Sequence, residues 1–149
     1  MEATGRNPAL DRLDALVGRW SLEAGPPDGP PWPGEAWATF EWLEGRTFLI
    51  QRWNVDLPEA PDGIAIIGPG EERDTFRQHY FDSRGYHRVY EMILGDGTWR
   101  LWRDATEPFP QRFEATFSED GEEISGRWEK AEDGTHWTTD FDLTYRRTG

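Results

Sequence analysis

Arg88 and Arg103 carry the sharpest chemical signal in this chain, because strand periodicity turns both toward the side that also holds Tyr80, Tyr90 and Gln78. All five lie in the stretch 76–103, FRQHYFDSRGYHRVYEMILGDGTWRLWR. A guanidinium taken out of water is costly unless it meets a carboxylate, a phosphate or a full set of acceptors. Two of them on one inward face, beside phenols and an amide, predict a site for an anionic small molecule. Trp53, Trp99, Phe40 and Met92, with Gln51, fall on the inward side of their own strands and would line the body of such a site. The bland alternatives are that the rings are plain core, and that an arginine reaches out to solvent, stacks on an aromatic ring or pairs with Asp82.

Catalysis would need an acid and a base inside, and the inward set offers only Asp82, near a rim, beside its tyrosines and arginines. His79, His87 and His136 lack ligand spacing, so neither a metal ion nor a cofactor is expected. If the turn at 83–85 had two residues, the strand before it would flip and His79 would stand opposite Tyr90. That keeps an isomerase or hydratase working through tyrosine and histidine as the alternative. No Ser-His-Asp arrangement, Gly-rich phosphate loop or paired metal motif is visible.

Two turns position the inward set. Asp96-Gly97 suits a type I′ turn, which needs positive φ at both central residues, and it pairs Leu94 with Trp99, Met92 with Leu101 and Tyr90 with Arg103. Ser83-Arg84-Gly85 suits a three-residue loop with Gly left-handed, pairing Asp82 with Tyr86, Tyr80 with Arg88 and Gln78 with Tyr90. Both put Phe76, Gln78, Tyr80, Arg88, Tyr90, Met92, Leu94, Trp99, Leu101 and Arg103 inside. Arg77, His79, His87, Glu91, Ile93, Arg100 and Trp102 then face out.

The rest of the chain reads the same way. Asn7-Pro8 with Leu10, Leu13, Leu16 and Val17 predicts a short helix capped by Asn7 and ended by Gly18. Strand one follows over 19–24, and the Pro-rich 25–34 is a loop at the barrel mouth. A hairpin over 35–43 and 46–55, turning at Glu44-Gly45, pairs Phe40 with Leu49 and Ala38 with Gln51. Residues 63–67 form a short apolar strand between loops at 57–62 and 68–74, and 105–110 is a further loop. Asp120-Gly121 pairs Phe117 with Ile124 and Phe113 with Trp128; Asp133-Gly134 pairs Trp128 with Thr139, Gly126 with Phe141 and Ile124 with Leu143. About ten short antiparallel strands in hairpin order predict an all-β, up-and-down barrel over one domain, 1–149, with room inside for one small ligand.

Composition narrows the partners. The 149 residues include nine Trp, sixteen Gly and eleven Pro, which suits a turn-rich β protein. Acidic residues outnumber basic ones 29 to 16, a net charge of −13, which repels nucleic acid and anionic membrane surfaces. There is no Cys, hence no disulfide, thiolate nucleophile or Cys-type zinc site. No run reaches membrane-spanning length and the first twenty residues hold no apolar export core, so no membrane partner and a cytoplasmic location are expected. The oligomeric state is open.

Gly18-Arg19-Trp20, entering the first strand from a short helix, resembles the G-x-W signature of the calycins, which include lipocalins and fatty-acid-binding proteins. The resemblance implies a barrel whose Trp20 closes the base under a basic residue of the last strand, Arg146 or Arg147. It also implies an interior where arginine and tyrosine hold a fatty-acid-like carboxylate. From Leu10 to Arg147 the chain is also similar to uncharacterised bacterial lipocalin-like proteins, in FDSRG, QRF, GRWE and DFDLTY. Nitrobindins, a related branch, hold ferric haem through a histidine of the last strand. Residues 137–147 contain none, and His136 stands at the strand's start, so a haem-binding barrel of the nitrobindin kind is the weaker alternative.

Overall fold

A computed structural model describes residues 7–58, 60–103 and 110–148. Ten antiparallel strands follow a short helix: β1 (Gly18–Gly25), β2 (Ala36–Trp42), β3 (Leu49–Val55), β4 (Gly63–Pro69), β5 (Phe76–Asp82), β6 (His87–Gly95), β7 (Thr98–Trp102), β8 (Gln111–Phe117), β9 (Glu123–Lys130) and β10 (Thr138–Arg147). Each pairs with its neighbours in sequence, and β10 pairs with β1 to close the barrel. Closure leaves no unpaired sheet edge.

The helix is 3-10 over Pro8–Ala15, with the Asn7 side chain accepting from the Ala9 N–H at 2.9 Å. A 3-10 helix repeats every three residues, and Leu10, Leu13 and Leu16 are spaced by three, so they form one ridge. That ridge is sealed, at 1, 0 and 0 % exposure, and plugs one end of the barrel. Trp20 lies beneath it, its indole N–H donating to the Leu16 carbonyl at 2.9 Å. The Arg147 guanidinium sits 4.2 Å over the Trp20 ring and donates to the carbonyls of Val17 at 2.6 Å and Ala15 at 3.0 Å. Helix, first strand and last strand are thus tied together at the base.

The central hairpins follow the predicted registers. Asp96 and Gly97 both have positive φ, 55° and 76°, and Leu94 pairs with Trp99 and Met92 with Leu101. Gly85 is left-handed at φ 94°, Asp82 N donates to the Tyr86 carbonyl, and Tyr80 pairs with Arg88 and Gln78 with Tyr90. The β8–β9 register is also as read, Phe117 facing Ile124 and Phe113 facing Trp128.

Two registers differ from expectation by two residues. Phe40 pairs with Gln51, not Leu49, and Ala38 with Trp53, because the β2–β3 turn spans 43–48 and closes with Leu43 N donating to the Phe48 carbonyl. Arg46 as well as Gly45 takes positive φ there, so the Glu-Gly pair is only half of a longer turn. In the last hairpin Phe141 faces Trp128, Leu143 faces Gly126 and Tyr145 faces Ile124, with a bulge between Thr139 and Phe141. The Asp133 carboxylate, which accepts from the Thr135 and His136 N–H groups, lengthens that turn by one residue so that Thr139 pairs with Glu129, and the bulge adds the second. A slip of two preserves which side chains face inward. β4 also runs on to Pro69, where a loop from 68 was predicted. Residues 105–109 of the predicted 105–110 loop lie outside the described residues.

Candidate functional site

Burial along the inward face separates the barrel into two halves. At the base, Trp20, Phe40, Leu49, Ile67, Phe76, Tyr90, Met92, Trp99, Phe113 and Tyr145 are 0–4 % exposed. Walls of a water-sized hollow would carry exposed surface, so this half is packed solid. One step nearer the other end, the inward residues Leu22, Ala36, Trp53, Tyr80, Arg88, Arg103, Gly126, Trp128 and Leu143 are only half-buried. They ring the mouth end of the barrel, a shallow half-buried region called the cup below, above the buried Tyr90 and Gln111.

Strand alternation places each polar group. Tyr80 and Asp82 end β5, Arg88 and Tyr90 begin β6, Arg103 follows β7, and Gln111 starts β8. The Gln111 Oε1 accepts from the Tyr90 hydroxyl at 2.5 Å and from Arg88 Nη1 at 3.4 Å. Arg103 stands 5.9 Å from the Tyr90 ring, with its backbone N–H donating to the Gln111 carbonyl at 2.8 Å. Arg88 also lies over the Tyr80 and Tyr86 rings, at 5.8 and 4.9 Å. Both guanidinium groups thus lie near Tyr90, and Arg88 also meets the Gln111 side chain.

The carboxylate at the rim is engaged elsewhere. Asp82 has no exposed side-chain surface and accepts from the Tyr80 hydroxyl at 2.5 Å, from Arg84 Nη2 at 2.7 Å, and from the Arg84 and Tyr86 N–H groups. Burial opposes its charge, but the hydrogen bonds from Arg84 and Tyr80 outweigh that and hold the carboxyl down at about 2. Burial, then the hydrogen bond and charge of Asp82, push the Tyr80 phenol up. Burial raises Tyr90 too, against the opposing charges of Arg88 and Arg103. Both phenols are therefore neutral donors at physiological pH, not bases.

Aromatic rings form the cup's walls. Trp53 stacks on Tyr80 at 5.4 Å and 29°, with its indole N–H on the Pro61 carbonyl. Trp128 packs against Phe113 at 5.0 Å and against Tyr90 at 5.7 Å. Gly63 is required under Trp53, since a Cβ there would collide with the indole and with the Phe81 carbonyl. A separate groove of about 380 Å³ runs along the outer rim past Trp53, Ile64, Phe81 and Ser83.

The structure brings Arg88, Arg103, Tyr80 and Trp53 together at the mouth, over Tyr90. Phe40, Trp99 and Met92, expected to line a ligand, instead fill the solid base at 2, 1 and 0 % exposure. Gln51 lies among them, donating to the Tyr145 hydroxyl at 3.4 Å, while burial pushes that phenol up to about 12. Gln78 is 4 % exposed, and its Oε1, like the Trp99 indole N–H, has no partner among the described residues. His79 faces out, against Val89 in the ladder and His87 across it at 3.5 Å, so the flipped strand that would bring it inside does not form. His136 is 84 % exposed and bonded to Asp133. No group of three or more metal-ligating side chains occurs among the described residues.

Gln111 was missed by sequence reading, although it is the inward neighbour of Phe113 by simple alternation. Its position next to 104–109 hid where β8 begins. Arg84, read only as a turn residue, was missed as the partner that occupies Asp82.

Similarity to known proteins is confined to structure. No family model matches the chain, and no curated protein matches it significantly. Among solved structures, the crystal structure of Rv2717c from M. tuberculosis superposes with a TM-score of 0.66 at 14 % identity, covering 97 % of this chain and 99 % of that one. At that identity the likeness speaks for the fold alone. No helix among the described residues is long and apolar enough to cross a membrane.

Proposed function

We propose that this chain is a calycin-like binding barrel that holds one small organic anion in its mouth-end cup. The observation that carries this reading is the placement of Arg88 and Arg103 beside Tyr90 at the half-buried end of the barrel, where the Gln111 side chain accepts from both Tyr90 and Arg88. An anion at this end of the barrel would receive charge-assisted hydrogen bonds from guanidinium groups and neutral ones from the phenols. Tyr80, a neutral phenol at the cup wall, adds an aromatic face that also stacks under Arg88. The calycin assignment draws support from the base, where Trp20 of the Gly18-Arg19-Trp20 segment is covered by Arg147 of the last strand.

Native mass spectrometry of the chain purified from its own host tests the reading. A small anionic adduct on the wild type that disappears from a folded Arg88→Met/Arg103→Met double variant is expected. A wild type that carries nothing, or a variant that carries the same adduct, would overturn it.

A further inference from the structure

His79 and His87 are separated in the chain, but the tight 83–85 turn sets them diagonally across the β5–β6 hairpin, both on its outer wall. Nδ1 of His79 and Nε2 of His87 stand 3.5 Å apart, the ring centroids 5.7 Å apart and the ring planes 11° from parallel. The centroid separation exceeds the nitrogen separation by nearly two imidazole radii, so both nitrogens lie close to the line joining the centroids. The rings therefore meet edge to edge. An imidazole nitrogen without a proton holds its lone pair in the ring plane, pointing away from the centre. With the ring protons on Nε2 of His79 and Nδ1 of His87, two lone pairs face each other head-on. Phe81, parallel to His87 within 8° and 4.7 Å from it, backs the second ring and fixes its plane.

We propose that His79 and His87 form a two-coordinate site for a monovalent, closed-shell metal ion of the Cu(I) class, on the outer wall and apart from the mouth-end cup. Imidazole is a good ligand for copper, and Cu(I) is satisfied by two donors in line. A metal–imidazole bond of about 2.0 Å asks for facing nitrogens about 4 Å apart, so these exposed rings need to separate by only about 0.5 Å. The surroundings select against divalent ions. Ile66 and Val89 flank His79 across the sheet, and Phe81 lies opposite His87. Along β5 the next outward residue is Arg77, and the Glu91 carboxylate is engaged by it at 3.1 Å. No third His, Asp or Glu completes a cluster among the described residues, so a four-coordinate divalent ion would depend on water for half its ligands.

Anaerobic titration of the full chain with Cu(I), against bicinchoninate as a chromophoric competitor, tests the site. One equivalent is expected to bind, at least tenfold more tightly than Zn(II). His79→Gln and His87→Gln should each lower Cu(I) affinity at least tenfold, and His136→Gln, in the turn before β10, should leave it unchanged. Nitrogen NMR of the wild type during titration with Ag(I), a diamagnetic ion of the same coordination preference, needs no variant. His79 Nδ1 and His87 Nε2 should shift more than any other ring nitrogen. Cu(I) held equally well by His79→Gln and His87→Gln, or no Cu(I) bound by the wild type, or Ag(I) shifts centred on another histidine, would overturn the site. Zn(II) held as tightly as Cu(I) at these two residues would overturn the monovalent class.

Discussion

Single residues at the floor and rim set energies that can be measured. Gln78 buries an amide oxygen with no partner among the described residues, and such a group costs about 1–3 kcal/mol. Gln78→Met keeps the volume and removes that atom, so it should stabilise the barrel by about 1 kcal/mol in urea unfolding. Asp82 works in the opposite sense: its carboxyl is held at about 2, below the ordinary 3.8. A carboxyl lowered in the folded state contributes stability that is present above its ordinary value and lost as pH falls through the folded one. Stability should therefore drop by about 1–2 kcal/mol between pH 4 and pH 2, and Asp82→Asn should flatten that part of the acid profile while loosening the 83–85 turn.

At the scale of elements, tight turns decided how much could be read from sequence. Asp96-Gly97 and 83–85 allow one register each, and from them Tyr80, Arg88 and Tyr90 were placed correctly on the inward face. Glu44-Gly45 and Asp133-Gly134 sit inside longer turns, whose closing bonds come from Leu43, Phe48 and the Asp133 side chain, and no dipeptide rule sees those. The β2–β3 error was even, and in β10 an error of one at Thr138–Thr139 becomes two past the bulge, so the faces survive from Phe141 onward. The base clamp is an element-level device, joining the 3-10 helix, β1 and β10 through Arg147. Arg147→Met would leave the Val17 and Ala15 carbonyls without their donors and remove the cation from over Trp20, a loss of about 1–3 kcal/mol by chemical denaturation. Ligand affinity at the far end should not change.

Across the whole molecule, the barrel divides into a sealed base and a half-buried mouth end. Alternation shows which side chains point inward but not how deep the packing reaches, which is why Phe40, Trp99 and Met92 looked like ligand contacts in the sequence and are core in the structure. Depth depends on volumes contributed by all ten strands at once, and above all on Trp20, Phe113 and Tyr145, which close around Trp99 and Phe40. Hydrogen exchange should follow this division: amides beside the base core exchange only through global unfolding, while those at the mouth ends of β5 and β6 exchange through local opening. Adding a small carboxylate such as decanoate should slow the second group and leave the first unchanged. The most direct test of the account is NMR of the arginine side-chain Nε–H signals during titration with a small carboxylate such as decanoate. Saturable shifts confined to Arg88 and Arg103, among the arginines, are predicted; signals that do not move, or that drift together across the surface arginines, would contradict an anion site in the cup.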